Sequence, residues 1–330
     1  MKQAPRSPLL LAVNTKAWSL MIIPFAVVGA ILIARSLAAT FVMSAEVESG
    51  ALQGAVVQSD NAASGGAAVR FAGGGSGTGD YTGGSGGERS DLLFQSFSAR
   101  GMTSNYHVFA ADLDWSKDVG MLLWADGSGG YGFDNPNDDY LLDADGGNGM
   151  VNVAKQNNML LLIPEAPPPG CDDDDNCWYN ESSSPNAVDK AHWANDLVQH
   201  VYGLYNIDKS RVAIGGYSSG AQFTSRWFVP LHGVEAQTDG VFVPVAYGGA
   251  PANGSSFTQA YRDAVVGYWN TGTSDSAYSD AEWGAIAGYN WYRDNGFTVD
   301  YDWPEGVGHD RDGEFDDIMA AQIATHVRPH

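Results

Sequence analysis

Apolar residues in this chain gather into short unbroken runs, with polar or helix-spaced stretches between them. The runs over 119–125 and 158–164 are too short for a helix of ordinary length and read as strands buried on both faces. Residues 211–214, which lead into Gly215-Gly216, and the run over 264–269 read the same way. The segment 297–301 alternates apolar with polar positions and predicts a further strand. Nearer the start of the series, 92–97 and 106–110 predict an antiparallel pair. Helical spacing covers 188–205 and 277–295, and a last helix runs toward the C-terminus. Strands followed by helices over about 240 residues predict a single α/β domain, with a mostly parallel central sheet and helices on both faces.

Ahead of this domain the pattern changes twice. Lys2, Arg6 and Lys16 precede an apolar run over 17–34 that contains Pro24 and stops at Arg35, and no acid occurs before Glu46. A positive flank before an apolar stretch predicts export, by a cleaved signal peptide or an uncleaved signal anchor. The run lies near the lower limit of about 18 residues for a spanning helix. Residues 1–45 are therefore assigned to targeting. The stretches Ala45-Glu46-Val47-Glu48-Ser49-Gly50 and Asp60 to Phe71 resemble the opening strands of jelly-roll carbohydrate-binding modules, but a complete sandwich of that kind needs on the order of 100 residues. Residues 46–72 are expected to form a short β appendage. Over 73–87 glycine and serine dominate, which predicts a flexible linker, and the α/β domain is placed at 88–330.

Charge narrows the partners. The chain carries 39 acidic against 17 basic residues, a net charge of −22, and four of the basic residues (Lys2, Arg6, Lys16 and Arg35) fall in the targeting segment. Nucleic acid is excluded, since its phosphates need neutralising by Lys and Arg. Membrane contact is expected only through the N-terminal segment, if it is retained. Transition-metal clusters, phosphate loops and dinucleotide fingerprints are not evident in the sequence. No metal or cofactor is expected, and the chain is expected to act as a monomer.

The chemistry concentrates at Gly216, Ser218 and Gly220. A Gly-x-Ser-x-Gly that follows an apolar strand and opens a helix fits a nucleophile elbow, whose sharp turn demands tiny residues two places to either side of the nucleophile. Serine needs a base to take its proton and an acid to orient that base. Downstream, Asp275 follows the strand over 264–269 through a Gly-containing loop, and His309 follows the strand over 297–301 through a turn. All three residues thus stand at C-terminal ends of strands, the edge at which open α/β sheets bind ligands. His326 and His330 belong to the last helix and the tail. Asp280 is expected on the helix over 277–295, carried away from His309, and Asp300 inside its strand.

The loop Asp126-Gly127-Ser128-Gly129-Gly130 follows the strand over 119–125. The N–H groups of Ser128 and Ser219 are the expected oxyanion donors, with a plain Gly-rich turn as the alternative for the loop. Cys171 and Cys177, six residues apart in an exported chain, suggest a disulfide; two free thiols are the alternative. The four aspartates between them (172–175) lack the alternating ligand spacing of a calcium loop and read as a solvated turn. Trp178 could wall the substrate or pack structurally, and Tyr217 and Gly127 are also expected to border the substrate.

These motifs together resemble the α/β-hydrolase esterases that include polyhydroxybutyrate depolymerases and feruloyl esterases. The likeness rests on Tyr205-Asn206-Ile207-Asp208-Lys209-Ser210-Arg211-Val212 leading into Gly-Tyr-Ser-Ser-Gly, the Gly-Thr-Ser-Asp loop, the Gly-Val-Gly-His turn and Cys177-Trp178. It covers roughly two thirds of the chain. One departure stands out: these esterases usually place His-Gly where this chain has Asp126-Gly127. The resemblance implies a secreted or surface-anchored serine esterase acting on polymer-derived esters, either plant-wall phenolic or acetyl esters or polyesters. A catalytically silent glycan-binding protein on the same fold, or a serine peptidase, would carry many of the same features.

Overall fold

The computed structural model describes residues 55–59, 67–71, 80–138, 141, 149–171, 176–179, 186–255, 257–309 and 314–330. The targeting segment, the first part of the Gly/Ser stretch and the aspartates at 172–175 lie outside the described residues. The chain divides into two units, Met1–Phe71 and Ala72–His330. In the first, strands β1 (Ala55–Ser59) and β2 (Ala67–Phe71) pair antiparallel, with Ala55 opposite Phe71 and Ser59 opposite Ala67.

The second unit is built on eight strands. In chain order they are β3 (Leu92–Ala99), β4 (Met102–Phe109), β5 (Gly120–Ala125), β6 (Met159–Pro164), β7 (Val212–Tyr217), β8 (Gly240–Val245), β9 (Val265–Asn270) and β10 (Thr298–Asp302). Their order across the sheet is β10-β9-β8-β7-β5-β6-β4-β3. From β10 to β6 every neighbouring pair is parallel, while β4 runs antiparallel to both β6 and β3. Counted from β3, this is the order 1-2-4-3-5-6-7-8 with only the second strand reversed, which is the α/β-hydrolase fold.

Full burial of β5, β6 and β8 explains why their sequences are continuous apolar runs. Their side chains alternate between two layers. Met121, Leu123, Leu160, Leu162 and Phe242 enter the core that contains α3 (Ala187–Leu204). Leu122, Trp124, Leu161, Val241 and Val243 enter the opposite one, with α2 (Met150–Gln156) and α8 (Phe315–His326). A capping box starts α3: Asn186 Oδ1 accepts from Val188 N and Asp189 N, and Asp189 Oδ2 accepts from Asn186 N. Among the described residues no helix is long and apolar enough to cross a membrane.

Two expectations need correction. The helix read over 277–295 begins only at Ala285 (α7, Ala285–Asp294). Ahead of it Asp280 Oδ1 accepts from Glu282 N at 2.9 Å and Trp283 N at 2.7 Å, a side-chain turn that competes with helix. The other concerns residues 80–87, which were assigned to a flexible linker but lie against the α/β unit. Thr82 N donates to Ile207 O, Ile207 N to Thr82 Oγ1, and Gly83 N to Asn206 Oδ1, each at 2.9 Å. Gly84 serves close approach here: a Cβ on it would stand 2.2 Å from Tyr202 O.

Candidate active site

Ser218 sits between β7 and the short helix α4 (Ser219–Gln222) with φ 53° and ψ −112°, a region L-residues avoid. Such a conformation costs on the order of 1–3 kcal/mol and persists only where the surroundings impose it. Its N–H donates to Val245 O at 3.0 Å, fixing the turn to the end of β8. The flanking glycines are steric necessities. A Cβ on Gly216 would lie 2.4 Å from Gly220 O, and one on Gly220 would lie 1.9 Å from Ala125 O.

Asp275 and His309 reach this turn from β9 and β10. His309 Nε2 is 2.8 Å from Ser218 Oγ, and His309 Nδ1 is 2.8 Å from Asp275 Oδ2. An ionised carboxylate only accepts, so Nδ1 carries the proton, and a neutral imidazole then has Nε2 free to accept the serine hydroxyl. The Asp275 side chain is fully buried while that of His309 remains 39% exposed. Its other oxygen, Oδ1, accepts from Ala277 N at 2.9 Å, which fixes the carboxylate plane. Backbone ties hold the Asp275 loop to the segment leading to His309: Thr273 N donates to Pro304 O and Ser274 N to Val307 O, both at 3.0 Å. Asp280, occupied in its own turn, is not part of this row.

The loop after β5 lies beside Ser218, since a Cβ on Gly127 would come 3.5 Å from Ser218 Cβ. Nearly every donor around it is committed. Gly127 N donates to Asp126 Oδ1 at 2.9 Å, Gly129 N to Asn176 O at 2.9 Å and Gly130 N to Gly127 O at 3.1 Å. Beyond it, Gly132 N (2.7 Å) and Phe133 N (3.1 Å) donate to Asp126 Oδ2. The Ser128 N–H is engaged by none of the described residues, and the Ser219 N–H opens α4, where first-turn donors lack helical partners. Asp126 is thus buried and oriented toward the start of α1 (Tyr131–Asp134), whose N-cap Gly130 offers no side chain.

No protein-family model matches the chain, and no curated protein matches it. Among solved structures it is similar to Arabidopsis thaliana SOBER1, at 16% identity and a TM-score of 0.42 over 63% of this chain and 98% of that one. It is similar to the Bacillus cereus carboxylesterase at 16% identity and a TM-score of 0.44, over 62% of this chain and 88% of that one. A mutant of the feruloyl esterase module from Clostridium thermocellum, complexed with sinapinate, shares 11% identity at a TM-score of 0.47, over 72% of this chain and 89% of that one.

Not every expected site residue lies at the surface of the site. Trp178, a candidate substrate wall, is 1% exposed and packs on Phe223 with ring centroids 4.2 Å apart, so it offers a substrate no surface. Tyr217 is half-buried and faces His309: the rings are 5.4 Å apart, and its hydroxyl donates to His309 O at 3.3 Å. Cys171 and Cys177 are joined by a disulfide, with Cα atoms 5.4 Å apart. Among the described residues no group of three His, Cys, Asp or Glu side chains is arranged to hold a metal ion.

Sequence reading missed Tyr247. Its ring lies 5.6 Å from that of His309, and burial followed by the nearby Asp275 raises its hydroxyl pKa. The signal was available, because Tyr247 stands two residues past the C-terminal end of β8, the same ligand-binding edge. Asn176 was also missed; its contacts with the Ser128 loop span more than 40 residues of sequence.

Proposed function

We propose that this chain is a serine carboxylic-ester hydrolase that works through an acyl-enzyme. The observation that carries the reading is the unbroken row of Ser218 Oγ, His309 and Asp275, with 2.8 Å at both links, on a turn strained as a nucleophile elbow is. Ser218 Oγ attacks the ester carbonyl carbon as His309 Nε2 takes its proton. The charge that develops on the carbonyl oxygen is received by the N–H groups of Ser128 and Ser219, a contribution of about 10²–10³ in turnover per donor. Collapse expels the alcohol, which takes the proton from His309, and water attacks the acyl-Ser218 ester by the same route in reverse. Asp275 keeps the proton on Nδ1 and stabilises the imidazolium while it exists.

The export signature and the esterase resemblance support a secreted or membrane-anchored enzyme whose esters derive from polymers, plant-wall or polyester. The strongly acidic charge fits a neutral substrate better than an anionic one. The test is hydrolysis by the purified chain of short and long p-nitrophenyl esters, methyl ferulate, acetylated xylan and polyhydroxybutyrate, with an anilide in parallel for peptidase chemistry. Hydrolysis of esters, labelling by a fluorophosphonate, and loss of both in a folded Ser218→Ala variant are expected. A Ser218→Ala variant that retained more than about 10% of the activity would remove the serine from the mechanism, given the roughly 10⁴-fold or larger loss such a removal causes.

A further inference from the structure

We propose that Asn176, held on the loop closed by Cys171–Cys177, is a positioning residue for the Ser128 N–H, so that the disulfide governs turnover. The inference rests on the esterase reading above and concerns one half of its oxyanion site. Ser128 is flanked by Gly127, Gly129 and Gly130, and the last two have φ +85° and +61°. Such a segment has no side chains to hold it in place, so hydrogen bonds from outside must fix where the Ser128 N–H points.

Asp126 holds the loop from within, and Asn176 holds it from the other side. The Asn176 carbonyl accepts from Gly129 N, the N–H next in the chain after that of Ser128, at 2.9 Å. Its side chain locks the residue in place: Oδ1 accepts from Ala166 N at 3.1 Å, two residues past the end of β6 at Pro164. Its Nδ2 lies 2.1 Å from where a Cβ on Gly130 would stand, so a larger residue there would push the Asn176 side chain aside.

The brace is itself anchored. Cys177, next to Asn176, is tied through the disulfide to Cys171. The carbonyl of Cys177 accepts a hydrogen bond from the ammonium of buried Lys190 on α3, which also donates to Pro169 O at 2.7 Å. Reduction leaves only hydrogen bonds, from Ala166 N to the Asn176 side chain and from Lys190 to the neighbouring carbonyl, to keep Asn176 in register. A misplacement of about 1 Å in such a group costs on the order of 10²-fold in rate.

The experiment measures kcat and KM on a p-nitrophenyl ester for wild type, Asn176→Ala and Asn176→Asp, and for wild type reduced with a phosphine and then reoxidised. Binding of a trifluoromethyl ketone, which adds to serine as a tetrahedral oxyanion, is measured beside that of the product acid. Asn176→Ala and the reduced wild type should lose about tenfold to a hundredfold in kcat with KM within about twofold. The ketone should weaken in parallel while the acid does not, and reoxidation should restore kcat. Asn176→Asp keeps the Oδ1 acceptor and the shape, and should recover most of the loss. Unchanged kcat in folded Asn176→Ala or in the reduced wild type overturns the proposal; if Asn176→Ala does not fold, the reduced wild type decides alone. Failure of the parent reading looks different, since wild type itself would then hydrolyse no ester.

Discussion

Replacing Asp126 by alanine tests how much of the site depends on a residue that departs from the esterase pattern. Its carboxylate accepts from Gly127 N at 2.9 Å, Gly132 N at 2.7 Å and Phe133 N at 3.1 Å, and the side chain is buried. The contact to Gly127 is between adjacent residues and contributes least. Gly132 and Phe133 occupy the first turn of α1 and are buried, so Asp126 stands in for the missing N-cap side chain. A buried N–H left unpaired costs about 1–3 kcal/mol, and entry of water into the vacated space recovers part of that for two such groups. The net expectation is a loss of about 2–4 kcal/mol, or roughly 5–12 °C in Tm for a domain of this size. Turnover should fall about tenfold to a hundredfold, because the loop that aims the Ser128 N–H loses its inner support. Asp126→Asn keeps one acceptor oxygen but turns a donor toward the other N–H, and should fall between the two. Thermal melts followed by circular dichroism and kinetics on p-nitrophenyl acetate measure both quantities. A folded Asp126→Ala variant with Tm within about 2 °C and kcat within about twofold of wild type would refute the reasoning.

Asp275→Asn should lose on the order of 10⁴ in turnover with little change in stability, whereas Asp280→Asn should stay within a few-fold of wild type; steady-state kinetics on the two variants separates them. Trp178→Ala should lose about 3–5 kcal/mol by urea denaturation, as a core truncation does, while KM for a small ester stays unchanged at temperatures where it remains folded. Burial pushes the Lys190 ammonium down from 10.5 to about 8. Between those values the unfolded chain holds a proton that the native state has released, so stability should rise with pH from about 8 toward 10.5. In Lys190→Met that rise should disappear from a series of melts across the same range.

Where the sequence was transparent, one local rule sufficed. The strands β5 and β6 were visible because burial on both faces leaves no room for polar positions, and the elbow because its two glycines answer steric demands a few residues away. Asp275 and His309 were legible from chain order combined with strand ends. For Trp178 and for residues 80–87 the deciding partner lay far off in sequence. Trp178 is an aromatic next to a cysteine whether it faces solvent or not, and only Phe223 settles it. Residues 80–87 have a linker's composition, yet Gly84 and Gly87 answer the proximity of Tyr202 and Tyr205. The start of α7 was misplaced because Asp280 captures two backbone donors that helical periodicity does not reveal.

With its backbone threaded along the turn at 205–209, the stretch 80–87 is a component of the fold and marks where an N-terminal deletion stops being harmless. Removing everything before Glu88 would take the Asp80 carbonyl from Lys209 N, the Thr82 hydroxyl from Tyr205 O and the Tyr81 hydroxyl from Asp118. It would also uncover the ring of Tyr205 that Gly87 now approaches. A recombinant domain cut at Asp80 should therefore melt cooperatively at the temperature of the longer chain. One cut at Glu88 should melt lower and yield to proteases first at the 205–209 turn, which precedes β7 while Ser218 follows it.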